Sequence, residues 1–144
     1  MLATTVAAMY HPWRRLRDQP HIDLVWRRMP TRRGMTVGAD LIVLHPEQFQ
    51  YERRCSLAHE MAHIDLGHIE ACGGRGECRA RRLAARWLID MDRLLDALRW
   101  AEDLREVADE LWVDEPTLMA RLDGLTDDER AQIVRLYEET EGGC

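Results

Sequence analysis

The sequence predicts an α+β fold: a small antiparallel sheet beside a helix carrying His59-Glu60-Met61-Ala62-His63, followed by an all-helical C-terminal segment. Three observations predict it. Short β-rich runs occur only within residues 21–44, a helix-length apolar stretch follows them, and from Met91 onward apolar residues recur at helical spacing with no β-rich run. This divides the chain into residues 1–91, which hold the sheet and the motif, and an acidic helical segment, residues 92–144.

The elements follow in order. Residues 10–20 read as a short helix closed by Pro20. Residues 21–26 alternate weakly and are rich in β-formers, Thr31-Arg32-Arg33-Gly34 reads as a turn, and residues 35–37 and 41–44 give two more strands around Gly38-Ala39-Asp40. The motif helix is expected to begin near Pro46-Glu47 and to stop at Gly67. Glu77 opens the next apolar-periodic stretch, which runs to Ile89. Residues 92–98 continue helical, and residues 104–122 have a helix-turn-helix pattern whose turn is Trp112-Val113-Asp114. A last helix, residues 127–139, follows the cap Thr126.

The motif is the H-E-x-x-H pattern of zinc peptidases. Positions i and i+4 of a helix lie on one face, so His59 and His63 can bind one zinc ion. Glu60, one residue along, can take a proton from a water whose pKa the metal has lowered. Leu57, Ala58, Met61, Ala62 and Ile64 surround these polar groups with apolar side chains, which makes their burial costly unless something satisfies them. A zinc peptidase needs a third protein ligand. His68 falls one place early for the run with a third histidine, and Glu70 is too close to return to the same metal face. Glu77 could come from a crossing helix to complete a His₂Glu set, or it could be an ordinary acid in a helix's first turn.

Composition bounds the rest. With 46% apolar and 32% charged residues, the 144-residue chain reads as one globular core rather than as disorder. No apolar run approaches a membrane span and residues 1–9 lack the charged start of a secretory signal, so a cytoplasmic protein is expected. All 20 basic residues are arginine, which suggests a GC-rich bacterial or phage genome. Four cysteines, at 55, 72, 78 and 144, form no C-x-x-C pair; reduced thiols are the expectation, and a second metal site at Cys72 and Cys78 is disfavoured. Residues 1–58 hold nine arginines against five acids, whereas residues 90–144 hold six against seventeen, a charge of −11.

From Glu52-Arg53-Arg54 through the motif, Leu66-Gly67-His68, Glu77, Leu83-Ala84-Ala85 and Leu88-Ile89, the chain resembles the ImmA/IrrE family of metallo-endopeptidases. The resemblance implies that His59, His63 and Glu77 bind one zinc and that Glu60 is the catalytic base. It also implies a protein substrate, a partner helix-turn-helix repressor whose cleavage relieves gene silencing in phages, mobile elements or stress responses. Relatives often carry an acidic residue where this chain has Arg81, so a different group must orient a ligand histidine; Asp65 and Asp90 are the candidates. His68, His45, Tyr51 and Tyr10 could each polarise a scissile carbonyl, and none is assigned.

Two other functions compete with a zinc endopeptidase of narrow specificity. A non-catalytic zinc-containing regulator acting by partner binding would have no use for Glu60 beside an open coordination position. A DNA-binding factor would read bases with a second helix led here by Asp114, Glu115 and Pro116, in a segment whose charge repels phosphate. The acidic helices suit a basic protein partner better than nucleic acid.

Overall fold

A computed structural model describes residues 10–68 and 74–141. Their order is α1 (Pro12–Arg17), β1 (Asp23–Trp26), β2 (Gly34–Val37), β3 (Leu41–Leu44), α2 (Gln50–Asp65), α3 (Gly74–Leu88), α4 (Met91–Trp100), α5 (Leu104–Leu111), α6 (Glu115–Asp123) and α7 (Asp127–Glu141). The fold is α+β, with a small sheet followed by helices, and the C-terminal segment is helical. No helix among the described residues is long and apolar enough to cross a membrane.

The sheet is mixed rather than antiparallel. Its order is β1-β3-β2; β3 pairs parallel with β1 and antiparallel with β2. Gly38, at φ 65°, makes the tight β2–β3 hairpin that an antiparallel expectation requires. The β1–β2 link, with Pro30 and four arginines, is no such turn, and it lets the chain pass over one strand position. Into that position goes β3, whose Leu-Ile-Val-Leu sequence is the most apolar and whose last three residues are buried. β2 is therefore left as an edge.

Helix α2 is buried on two faces. Ile22, Ile42, Leu44, Leu57 and Met61 join it to the sheet, while Cys55, Ala58 and Ala62 join it to Ala80, Ala84 and the later helices in a second cluster. The helix starts later than expected, at Gln50, because Gln48 is occupied holding the entering loop. Its Nε2 donates to the carbonyls of Arg33 and His45, and its Oε1 accepts from Ser56. Glu52 accepts from the Phe49 amide at the helix start. Helix α3 begins at Gly74, so Glu77 lies within its first turn instead of opening it.

Side-chain caps define the later helices: Asp90, Asp103 and Asp114 accept from the amides of Arg93, Glu106 and Thr117. Thr126 and Glu129 form a reciprocal capping box for α7. Trp112 ends α5 at φ 55°, a left-handed conformation that glycine usually takes. Buried Arg54 holds it there, donating to the Trp112 carbonyl at 3.0 Å with its guanidinium 5.7 Å from the indole. Arg33 and the Cys55 sulfur also reach Asp114, so the turn of the helix-turn-helix pattern packs inward. Asp114 is thereby a half-buried cap and not an exposed leading residue, whereas Glu115 and Pro116 are exposed.

The C-terminal helices are pinned by a buried ion network. Arg121 donates to Glu129 at 2.7 Å and to the Ile89 carbonyl at 2.8 Å, and Arg86 reaches Glu129 from α3 at 3.0 Å. Arg121, through its hydrogen bond, holds the Glu129 carboxyl well below its ordinary 4.5, and the Arg86 bond and Thr126 amide add to this against the opposing effect of burial. Replacing Glu129 with alanine leaves Arg121 buried without a counter-charge and should cost roughly 3–5 kcal/mol in urea unfolding. A depressed carboxyl pKa contributes stability above the unfolded value and loses it as pH falls towards the folded one. Stability should therefore decline below about pH 4.5 in the parent and decline less steeply in Glu129→Ala.

Candidate active site

The i,i+4 spacing on α2 brings His59 Nε2 and His63 Nε2 to 3.2 Å of each other. Helix α3 delivers Glu77 to the same point: Oε2 lies 3.0 Å from His59 Nε2, and Oε1 lies 3.2 Å from His63 Nε2. A tetrahedral zinc bound at about 2.0–2.1 Å separates its donors by roughly 3.3 Å, so this donor set fits the ion. Burial lowers both imidazoles below their ordinary 6.5, for His59 with His63 opposing its charge as well. A lowered imidazole pKa favours the neutral form, which is the form that coordinates a cation.

A second grouping is drawn on α2 alone, since His59, Glu60 and His63 offer ligand atoms within 4.8 Å of one another. Glu77 contacts both rings at 3.0–3.2 Å, whereas Glu60 is engaged elsewhere. Thr36 on β2 donates to Glu60 Oε2 at 2.7 Å. Gly34 leaves room for the carboxyl, as a Cβ there would stand 3.1 Å from Glu60 Cγ and 3.2 Å from Leu44 Cδ2. Burial pushes the Glu60 carboxyl up to about 7, against the opposing effect of the Thr36 hydrogen bond. Such a group can both accept and return a proton near neutral pH.

Neither Asp65 nor Asp90 orients a histidine. Asp65 pairs with Arg15, and Asp90 caps α4. The group beside His63 is His68, whose Nδ1 lies 2.9 Å from His63 Nδ1. Its position follows from the helix end. Gly67, at φ 75°, turns the chain so that its amide donates to Ile64 and the His68 amide donates to His63. In this Schellman ending, the residue after the glycine folds back over the residue five before it. Gly67-His68 was the sequence signal for this contact.

The other polarising candidates are elsewhere: Tyr10 stacks on Trp87 at 5.3 Å, Tyr51 on Phe49 at 6.1 Å, and His45 accepts from the Glu47 amide. Cys55 is buried with its thiol raised to about 11, which makes it unreactive, and Cys78 is exposed. Cys72, Cys144 and Glu70 lie outside the described residues.

These groups sit in a cleft of about 820 Å³, bounded by the loop at Arg32 and Arg33, the edge strand β2, helices α2 and α3, and the start of α6 at Asp114, Pro116 and Thr117. The arrangement could hold a cation beside a buried carboxyl, next to the edge strand β2.

Thr36→Val removes the hydroxyl that satisfies a buried carboxyl while preserving shape. It should lower stability by about 1–2 kcal/mol in urea unfolding, and an unchanged midpoint would mean that cleft water replaces the bond. Comparisons of the chain with protein-family models, with curated proteins and with solved structures find no match.

Proposed function

We propose that this chain is a zinc-dependent endopeptidase of narrow specificity, with His59, His63 and Glu77 holding one zinc and Glu60 acting as the base. The observation that carries the reading is the convergence of two imidazoles and a carboxylate from a second helix, 3.0–3.2 Å apart, beside a buried carboxyl. Zinc in that position supplies Lewis-acid polarisation of a water and of a peptide carbonyl.

The chain's own residues account for the remaining tasks. The free edge of β2 can pair with an extended substrate and lay its scissile bond across the cleft. Glu60, with Oε2 held by Thr36, takes a proton from the attacking water and gives it to the departing amine. His68 keeps the His63 ring turned so that Nε2 faces Glu77.

The family resemblance supplies the expected substrate class, a helix-turn-helix repressor met in the cytoplasm. Two features favour protein over DNA as the partner of the acidic helices: their charge, and the inward packing of the α5–α6 turn.

Metal analysis of purified protein should find one zinc per chain, reduced strongly in Glu77→Ala; equal retention in that variant would remove Glu77 from the ligand set. In Glu60→Gln, zinc should be retained while cleavage of a peptide library, read by mass spectrometry, falls by roughly 10²–10⁴-fold. Undiminished cleavage in Glu60→Gln would overturn the mechanism. Reversing the exposed acids Asp109 and Glu115 to arginine should slow cleavage of a basic protein partner, most visibly at low salt, without changing zinc content.

A further inference from the structure

The cleft holds three arginines, and they are not equivalent. Arg33 is committed, since it pairs with Glu52 at 3.0 Å and with Asp114 at 3.6 Å. Arg32 and Arg81 line the same cleft, from the loop entering β2 and from α3 one turn beyond Glu77. Among the described residues neither has a side-chain hydrogen bond or an ion pair.

The acids nearby cannot serve them. Glu77 faces the two imidazoles, Glu60 accepts from Thr36, and Asp114 accepts from the Thr117 amide and hydroxyl while pairing with Arg33. Both free guanidinium groups act on the centre: the charge of Arg32 is felt at Glu60, and that of Arg81 at His59. Among the described residues the cleft therefore presents two exposed guanidinium groups without an ion-pair partner, one from the loop entering β2 and one from α3. Arginine's planar fork matches a carboxylate in bidentate fashion, which adds geometric selectivity to the attraction.

We infer that Arg32 and Arg81 form a carboxylate-binding subsite flanking the catalytic centre, which selects substrates carrying a carboxylate within a few residues of the scissile bond. The inference rests on the peptidase reading of the cleft. An extended chain paired with β2 would lie in the cleft that both arginines line, so a carboxylate near the scissile bond could meet one of them. An acidic side chain and a free C-terminal carboxylate share this chemistry.

The test uses the 144-residue chain loaded with zinc and ten-residue peptides in matched sets, with glutamate or glutamine at single positions and the C-terminus free or amidated. At low salt the parent should favour the glutamate peptide over its glutamine twin by about fivefold or more in kcat/KM, mainly through KM. Arg32→Gln and Arg81→Gln should each reduce that preference, the double variant should abolish it, and Arg81→Glu should shift it towards basic peptides. Preference for the free over the amidated terminus, with no effect of internal glutamate, would assign the subsite to a terminal carboxylate. Binding of fluorescent peptides to Glu60→Gln gives a readout without turnover and should follow the same order. No preference in the parent, or one that survives in the folded double variant, would overturn the inference. Should no peptide be cleaved, the peptidase reading fails by itself. The binding series then decides the subsite: tighter binding of glutamate or free-terminus peptides that the double variant loses keeps it, and equal binding removes it.

Discussion

The close approach of α2 and α3 is the constraint on which the site depends. Ala58 and Ala62 on one helix, and Ala80 and Ala84 on the other, are spaced one turn apart and almost wholly buried in one cluster. Each of the three converging side chains is registered to this seam: His59 and His63 directly follow Ala58 and Ala62, and Glu77 precedes Ala80 by about one turn. Packed helices lie 8–10 Å apart according to the side chains at the contact, and alanines put a pair at the short end. A leucine at any of the four positions would push the axes apart and carry Glu77 beyond the 3.0 Å contact it makes with His59. The seam is thus chosen for distance as much as for burial.

The same helix is tied on its other side to the α5–α6 pair. Arg54 reaches from α2 to the Trp112 carbonyl, and Asp114 N–H points at Cys55. These contacts explain how a tryptophan can occupy a left-handed turn. The strain of a φ near 55° is offset by a buried charge-assisted hydrogen bond and by guanidinium–indole packing. They also give the helix-turn-helix pattern a different use. Its turn and the start of its second helix become a wall of the cleft.

Local signals in the sequence translated into local structure. The H-E-x-x-H spacing placed two imidazoles together, Gly67 ended α2 in a left-handed turn, Gly38 made the hairpin, and Asp103 and Asp114 capped helices whose positions the apolar periodicity indicates. Strand order was not legible, because alternation records which face of a strand is buried and not which neighbour it pairs with. Thr36 and Gly34 were likewise hidden. Their relation to Glu60 depends on the edge strand crossing α2, a contact separated by some 24 positions along the chain. His68 is a different case, since a helix ending in glycine folds the next residue back onto the last turn, and that rule alone would have placed it beside His63.

The distribution of roles around α2 follows from helical rotation. Successive residues are turned by about 100°, so His59 and Glu60 face different neighbours although they adjoin in sequence. His59 and His63 turn towards α3, where Glu77 meets them; Glu60 turns towards β2, where Thr36 holds one carboxylate oxygen. This separation keeps Glu60 apart from the His59, His63 and Glu77 group and puts it on the side of the edge strand β2. The burial that raises Glu60 to about 7 comes from that same placement between helix and strand. Burying a carboxyl in this way costs stability, which the Thr36 hydrogen bond offsets in part.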